Sequence, residues 1–231
     1  MEMKLESKTK LEKILDLAKK SGVSSCEIVQ KSSIENPITF ENNVLKSLES
    51  NHSSGIALRV IKNNKIGISS TTDPEAIETL VSSAIETSEF GTEATFELSK
   101  EKIQNNQLDD SSDKPSLESL IEKGTNVVEH LRKFHKDLMV SGGFDCKEAE
   151  TVYLNSNGVT GTRKKTICSV MFHVLLVHED DFLGIYDEIS SLNSFPDEKK
   201  IKDSLFEKLN LSKQIVSLHT KHYRTFYTKS S

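Results

Sequence analysis

The stretch of this 231-residue chain that most restricts its fold is Ser53–Gly91, SSGIALRVIKNNKIGISSTTDPEAIETLVSSAIETSEFG. Its first part, GIALRVI, is a nearly continuous apolar run, as in a strand that is covered on both faces or nearly so. Asn63-Asn64 comes next, and asparagine tolerates positive φ better than most residues, which favours a two-residue type I′ turn. KIGISS is the expected return strand. The stretch therefore begins as a tight β-hairpin.

The same stretch continues into an amphipathic helix. Thr72 or Asp73 can cap the N-terminus of this helix, and Pro74 suits its first position because the φ of proline is fixed and it has no amide hydrogen. Gly91 closes the unit. The apolar stripe has helical spacing and consists of Ile77, Leu80, Val81, Ala84 and Ile85.

An earlier helix is predicted over residues 9–21. Thr9 and Glu12 fit a capping box, in which each side chain satisfies a backbone amide at the start of the helix. Gly22 can end the helix in the left-handed conformation. CEIVQKSS then alternates as a strand over about 25–33, and ITFENNVLKSLES predicts two short strands, or one bent strand, around its Asn-Asn pair.

A further helix is predicted from Ser116 to about Met139. Gly124 interrupts its apolar pattern, either at a cost of about 1 kcal/mol relative to alanine or because it marks a close packing contact. Gly142-Gly143 is predicted to end this helix. Asn157-Gly158 is a strong hairpin signal, with a long strand after it and a return strand after that.

The order of these elements predicts an α+β fold, with an antiparallel or mixed sheet built from hairpins and helices packed on one face. Two hairpin-plus-helix units recur, each introduced by a helix, and the last helix is expected over about 197–210. Rossmann-like winding is disfavoured because it needs crossover helices between strands. The predicted division is 1–91 for a first α/β unit, 92–115 for a polar connection, 116–212 for a second helix–hairpin–helix unit and 213–231 for an aperiodic tail.

Charge and composition narrow the class of protein. A formal net charge of -5 argues against a nucleic-acid binder, which needs a basic footprint. MEMKLESKTK has no apolar core for a signal peptide, and no run approaches the ~18 apolar residues of a membrane span. Cys26, Cys146 and Cys168 are far apart in sequence and odd in number, so neither a disulfide framework nor a CxxC metal site is predicted. A reducing cytoplasm is the simplest interpretation.

The histidines do not predict a metal site. The pairs considered are His173 with His178, His130 with His135, and His219 with His222. The first pair is five residues apart in a strand, which puts its members on opposite faces. The second is five apart on a helix and shares no face, and the third has no carboxylate or cysteine partner nearby. His178-Glu179 lacks the second histidine of a zincin, because Phe182 stands at that position.

The remaining polar segments do not predict a catalytic or ligand-binding site. Gly158–Lys165, GVTGTRKK, lacks the GK[ST] ending of a P-loop and does not open a helix, so a hairpin turn with a basic strand end is predicted. Cys168 is expected in the core. Four carboxylates could pair for catalysis, namely Asp180, Asp181, Asp187 and Glu188. Consecutive acidic residues in turns are usually only solvated. We therefore assign no catalytic, cofactor-binding or metal-binding residue from the sequence.

The ordered features of Ser53–Gly91 resemble the N-terminal domain of the TldD/PmbA family, also called modulators of DNA gyrase. The matching positions are Gly55, Arg59, Val60, Asn63-Asn64, Gly67, Ser69-Ser70 and Thr72-Asp73. NSNGVTGTRKKT resembles the second hairpin of the family. The resemblance covers roughly residues 9–210, and Ser-Ser-Thr-Thr-Asp is closer to the PmbA branch, also called TldE, than to TldD.

This resemblance implies a function. Family members are described as cytosolic metallopeptidase subunits, and TldD and PmbA pair into a complex that trims peptides, including modified microcin precursors. In TldD an HExxxH motif and a further cysteine bind zinc, whereas PmbA-type subunits lack that set. HExxxH does not occur in this sequence, which ends about where the second, β-rich domain of the family is expected to begin.

The expectation is therefore a PmbA/TldE-like subunit, or its truncated N-terminal half, that is not catalytic alone. Zinc is expected on a TldD-type partner, and peptide is the expected substrate of the complex. A homodimer is the alternative assembly. A non-enzymatic binding or scaffold module is the alternative function, and neither nucleic acid nor a membrane is an expected partner.

Overall fold

The computed structural model describes residues 2–103, 115–178, 181–192 and 194–213. In these ranges the chain forms four helices and one eight-stranded sheet in which every strand pair is antiparallel. The helices are α1 Glu2–Lys20, α2 Ile77–Glu89, α3 Leu117–Arg132 and α4 Glu198–Leu211. The strands are β1 Ser25–Glu35, β2 Ile38–Glu41, β3 Val44–Leu48, β4 Asn51–Lys62, β5 Lys65–Thr71, β6 Met139–Asn155, β7 Thr160–His178 and β8 Asp181–Leu192. The predicted α+β class is confirmed.

The long hairpin of β6 and β7 runs through the whole sheet. β1 and β2 lie end to end along the other edge of β6, so they are one strand broken at Asn36-Pro37. β3 and β4 follow one another in the same way beside β2 and β1. Among the strands described, β5 pairs with β4 and β8 pairs with β7, at opposite corners of the sheet. β6 and β7 therefore extend along the whole sheet, whereas β1, β4 and β5 belong to one end of it and β2, β3 and β8 to the other.

Two separate hydrophobic clusters lie on the same face of the sheet. The first joins α1 and α2 to β1 and β4, with Ile14, Ile28 and Leu58 fully buried. The second joins α3 and α4 to β2, β6 and β7, and its centre is Phe172, which contacts Phe144 at 5.8 Å between ring centroids. All four helices therefore cover one face, as the sequence predicts. We call the opposite face the helix-free face.

The turns of the first half are predicted correctly, but the helix starts are not. Asn63 and Asn64 have φ of 50° and 59°, as a type I′ turn requires. Thr9 lies inside α1, which begins at Glu2, so the capping box predicted there is wrong. α2 begins at Ile77 without a side-chain cap, because Asp73 instead accepts a hydrogen bond from the Glu75 amide in a turn.

The third helix is shorter than predicted. Ser116 caps it as expected, accepting a hydrogen bond from the Ser119 amide, but it ends at Arg132, where a helix to Met139 was predicted. Gly142-Gly143 lies within β6 and ends no helix. Gly124 marks a close packing contact, since a Cβ there would overlap the Phe40 ring. Of its two interpretations, that one is confirmed.

Residues 92–103 are packed more closely than their polar composition predicts. Leu98 is buried. Asn157 Nδ2 donates to the Leu98 carbonyl at 2.8 Å, and Asn155 Nδ2 donates to the Ser99 carbonyl at 2.9 Å. The segment therefore lies as a strap across the helix-free face, beside the β6–β7 turn. Within the ranges described, no helix is long and apolar enough to span a bilayer.

The cysteines differ from the expectation drawn from sequence. Cys146 and Cys168 stand directly opposite one another on β6 and β7 and form a disulfide. Cross-strand register brings them together, which their sequence spacing did not indicate. Cys26 is a buried free thiol, and burial raises its pKa to about 11, against the smaller lowering by Lys19. Cys168 is buried, as predicted, but as half of a disulfide.

The disulfide determines how many cysteine thiols can be alkylated before and after reduction. Purified without reductant and denatured, the chain is expected to take up one equivalent of iodoacetamide, at Cys26, and three after reduction, because bonded sulfurs do not alkylate. Intact mass spectrometry measures both counts. The matched variant Cys26→Ser should take up none before reduction and two afterwards. Three adducts without reduction would show that the disulfide does not form.

Candidate functional site

Between the two hydrophobic clusters, the helix-covered face of the sheet becomes polar. The face is apolar at one end, with Ile28 and Leu58, and again at the other, with Phe144 and Phe172. Because side chains alternate between the two faces of a strand, eight side chains between these ends point to this same face. They are Ser32, Ile34, His52, Ser54, Glu148, Glu150, Lys164 and Thr166, and they line a cavity of about 470 Å³. We call this array the central groove.

The side chains of the central groove form two rows across four strands. The first row pairs Ser54 with Ser32, Ser32 with Glu150, and Glu150 with Lys164. The second row contains His52, Ile34, Glu148 and Thr166, paired in that order. Strands lie about 4.8 Å apart, so each row is about 14 Å long, and two residues of strand separate the rows by about 7 Å.

The central groove carries both signs of charge. Lys164 Nζ lies 3.9 Å from Glu150 Oε1, a loose ion pair of partly exposed groups that contributes at most about 1 kcal/mol. Glu148 lies in the other row, between Ile34 and Thr166. Lys165 also borders the cavity, so the two glutamates and two lysines around it cancel in formal charge before His52 is counted. Hydroxyl groups complete the floor, at Ser32, Ser54 and Thr166.

This arrangement is suited to binding. His52 Nε2 lies 3.4 Å from Ser50 Oγ, which is exposed and outside the groove, so the pair lacks the buried, oriented base that activates a nucleophile. No group of three or more His, Cys, Asp or Glu with metal-binding geometry is present in the part of the chain that the structure describes. Carboxylates, an ammonium group, hydroxyls and one exposed apolar side chain can together hold a polar ligand by hydrogen bonds and charge.

A second polar cluster lies under the strap on the helix-free face. Arg59 forms an ion pair with Glu27, and Tyr153 Oη donates to Glu27 Oε2 at 2.7 Å. The Arg59 guanidinium stacks on the Phe96 ring, with Arg59 Cζ 4.9 Å from the ring centre. Burial and the hydrogen bond to Glu27 raise the pKa of Tyr153. The strap covers these groups, and the cluster anchors β1, β4 and β6 to one another and to the strap.

The histidines considered from the sequence are not brought together. His173 is exposed on the helix-free face. His130 packs on the Phe206 ring, 4.9 Å away, and burial lowers its pKa, as do the nearby lysines. His135 Nδ1 accepts a hydrogen bond from the Asp137 amide. Positions that lie outside the described part, at least in their side chains, are His178, Glu179, Asp180, Asp181, His219 and His222.

The remaining sequence candidates have structural roles. Asp187 accepts hydrogen bonds from Lys208 and Ser204 of α4. Burial alone would raise the pKa of Asp187, but these bonds outweigh it and hold the pKa below its usual value. Glu188 is exposed and accepts from Ser190 Oγ. Gly158 has a φ of 84° at the predicted hairpin turn, which is therefore confirmed.

Sequence reasoning missed the central groove. A signal was present within single strands, because the apolar alternation of β1 and β4 gives way to Ser32 and to His52 and Ser54 on the same face. That signal does not show which strands are neighbours. The rows depend on the pairing of β1 with β6, whose residues are more than one hundred positions apart.

Part of the chain matches the model of a known protein family. Residues 26–88 match the model of the PmbA/TldA metallopeptidase domain 1. This span contains β1 to β5 and nearly all of α2. No curated protein matches the chain.

Solved structures share the fold. One is TldE from Thermococcus kodakarensis, with a TM-score of 0.68 and 17% identity over 90% of this chain and 48% of that one. Another is a candidate modulator of DNA gyrase from Bacteroides thetaiotaomicron, with a TM-score of 0.74 and 18% identity over 88% and 49%. A third, from Thermotoga maritima, is described in the same way and has a TM-score of 0.65 and 17% identity over 88% and 47%. The chain therefore spans about half the length of these proteins.

Proposed function

We propose, from the match of residues 26–88 to the PmbA/TldA metallopeptidase domain 1, that this chain is a PmbA/TldE-like subunit, or the N-terminal half of one, in a peptide-processing metallopeptidase. The observation that carries the proposal is the family match to the first domain. The fold likeness to TldE from Thermococcus kodakarensis extends over 90% of the chain. The TldE branch is proposed because Ser69–Asp73, Ser-Ser-Thr-Thr-Asp, resembles that branch.

The chemistry of the chain supports a non-catalytic subunit. The 231 residues contain no HExxxH motif, and zinc hydrolases need a comparable set of three protein ligands around an open position. The zinc is therefore assigned to a TldD-type partner. The proposed substrate is a peptide, and the proposed assembly is a dimer with that partner.

The experiment is to purify the chain alone and together with a TldD-like subunit from the same source. Metal analysis of the chain alone should find no stoichiometric zinc, and peptide hydrolysis should require both proteins. Size-exclusion chromatography should show the two chains eluting together. One tightly held zinc per chain, or hydrolysis by the chain alone, would contradict the non-catalytic assignment.

The second candidate function is a binding or scaffold module without a peptidase partner. The central groove favours it, because a groove of mixed charge can bind a ligand without any metal. A chain that does not associate with the TldD-like subunit, yet binds a ligand in the groove, would support this candidate over the first.

A further inference from the structure

We propose that the helix-free face of the sheet binds an acidic segment of a partner polypeptide, with Lys31, Arg163 and Lys165 as the groups that receive its carboxylates. We call these three side chains the basic patch. Lys31 lies on β1 and the other two lie on β7, and all three residues are exposed. Binding at this face is separate from the central groove and does not depend on the proposed peptidase assignment.

Strand pairing places the basic patch in two neighbouring rows. In the first row Lys31 pairs with Thr151 of β6, and Thr151 pairs with Arg163. Lys165 lies in the next row, opposite Ala149. The three cations therefore surround a small area of β6 whose own side chains are short and uncharged.

The side chains of both rows point to the helix-free face. Tyr153, which lies under the strap on that face, is two residues from Thr151 on β6, and alternate residues of a strand share a face. Lys164 and Thr166 line the central groove on the opposite face. Lys165 stands between them, so it borders the groove with its backbone while its ammonium group lies on the helix-free face.

The basic patch lacks the carboxylate partners that neighbouring cations have. On the same face Arg59 forms an ion pair with Glu27. Lys147 forms one with Glu35. Within the residues that the structure describes, no hydrogen bond or ion pair involves a side chain of the basic patch. The charge of the patch is therefore left for a partner to neutralise.

Other charges nearby do not reverse the sign of the patch. The strap reaches Gly161 of β7 through Ile103, and residues 100–102 before it, a lysine, a glutamate and a lysine, add a net charge of +1. Asp145 lies on the same face, but about 13 Å along β6 from the second row. The two glutamates of the central groove lie on the opposite face and have partners of their own. The patch therefore stays positive on a chain whose formal net charge is -5.

The spacing of the cations suits an extended acidic chain. Arg163 and Lys165 are two residues apart on one strand, about 7 Å, which is also the spacing of alternate side chains in an extended peptide. Lys31 lies two strands away from Arg163, at about 10 Å. Between them the short side chains of β6 let a partner backbone approach the sheet, and the Thr151 hydroxyl can hydrogen-bond to it.

The chemistry of the patch favours a carboxylate-bearing polypeptide over other anionic partners. A small ligand usually binds in a concave pocket, whereas the three cations stand exposed on a sheet face. Nucleic-acid sites have larger basic surfaces and aromatic side chains that stack on bases, whereas the patch consists of three cations. Complementary charge then selects an acidic segment over a basic one.

The test measures binding of labelled, end-blocked heptapeptides to the intact chain by fluorescence anisotropy. One probe alternates glutamate with alanine, and the other alternates lysine with alanine. The acidic peptide is expected to bind saturably and more tightly than the basic one, and added salt should weaken it because salt screens exposed charges. Lys31→Gln, Arg163→Gln and Lys165→Gln should each weaken its binding about threefold, as for the loss of one exposed ion pair.

The matched control is Lys200→Gln, which removes the same charge from an exposed position on α4. It should leave the affinity unchanged, and circular dichroism of every variant checks folding. Equal binding of the two peptides, equal weakening by Lys200→Gln, or no saturable binding would overturn the proposal. Tighter binding of a labelled oligothymidylate than of the acidic peptide, weakened by Arg163→Gln, would overturn it in favour of a nucleic acid.

Discussion

Replacing Phe172 with alanine is expected to lower the free energy of unfolding by about 3–5 kcal/mol, the usual cost of removing a buried phenylalanine ring. Phe172 is fully buried on β7, and its ring lies 6.2 Å from that of Phe40 and 5.8 Å from that of Phe144. Those rings belong to β2 and β6, so the lost contacts join three strands. The second hydrophobic cluster cannot collapse around the cavity without moving the sheet.

Urea unfolding followed by circular dichroism measures this loss. Domains of this kind are stable by only about 5–15 kcal/mol, so the midpoint should fall markedly. Met171→Ala is the matched control, because Met171 is the preceding residue of β7 but points to the helix-free face and is 44% exposed. Its change should stay within about 0.5 kcal/mol. Similar losses for the two variants would contradict the assignment of the second cluster to this face.

Gly142→Ala is expected to destabilise the protein by about 3 kcal/mol or more, from backbone strain together with overpacking. Gly142 has a φ of 138°, which side chains rarely tolerate. A Cβ at this position would overlap the Met171 carbonyl oxygen and lie 2.6 Å from the Phe172 Cα. Both atoms belong to the backbone of β7, so the strands would have to separate.

Thermal unfolding compares this variant with Gly184→Ala. Gly184 lies on β8 of the same sheet, has no positive φ, and an added Cβ would meet nothing within 4 Å. Alanine at that position should be neutral or slightly stabilising, because it reduces the conformational freedom of the unfolded chain. A Gly142→Ala variant as stable as Gly184→Ala would show that β6 does not adopt the strained conformation at this position.

Two of the errors in the helix bounds arise where the residues fit another structure as well as a helix. Pro74 fits the first turn of a helix, but it equally fits a turn, and the Asp73 side chain closes that turn with the Glu75 amide. The apolar pattern of α3 continues past Arg132, but Leu138 and Val140 are buried as the chain enters β6. Both helical and strand patterns explain such a short apolar segment, and strand pairing decides between them.

The local conformational preferences of the residues were enough to predict the turns and the buried faces of the helices. The positive φ of Asn63 and Asn64 and the buried Leu80 and Ala84 follow from the residues themselves and from helical periodicity. These features need no knowledge of distant residues. The order of hairpins and helices therefore predicted the α+β class correctly.

Pairing between distant strands decided the rest. It placed Cys146 against Cys168, set Ser32 beside Glu150, and laid the strap over Arg59. A shift of one residue in the pairing of β1 with β6 would turn a whole strand to the other face, so the central groove exists only in this register. Register is a property of the assembled sheet, because each cross-strand contact depends on the packing of both hydrophobic clusters. Periodicity shows which residues of a strand share a face, and tertiary structure alone shows which residues they meet.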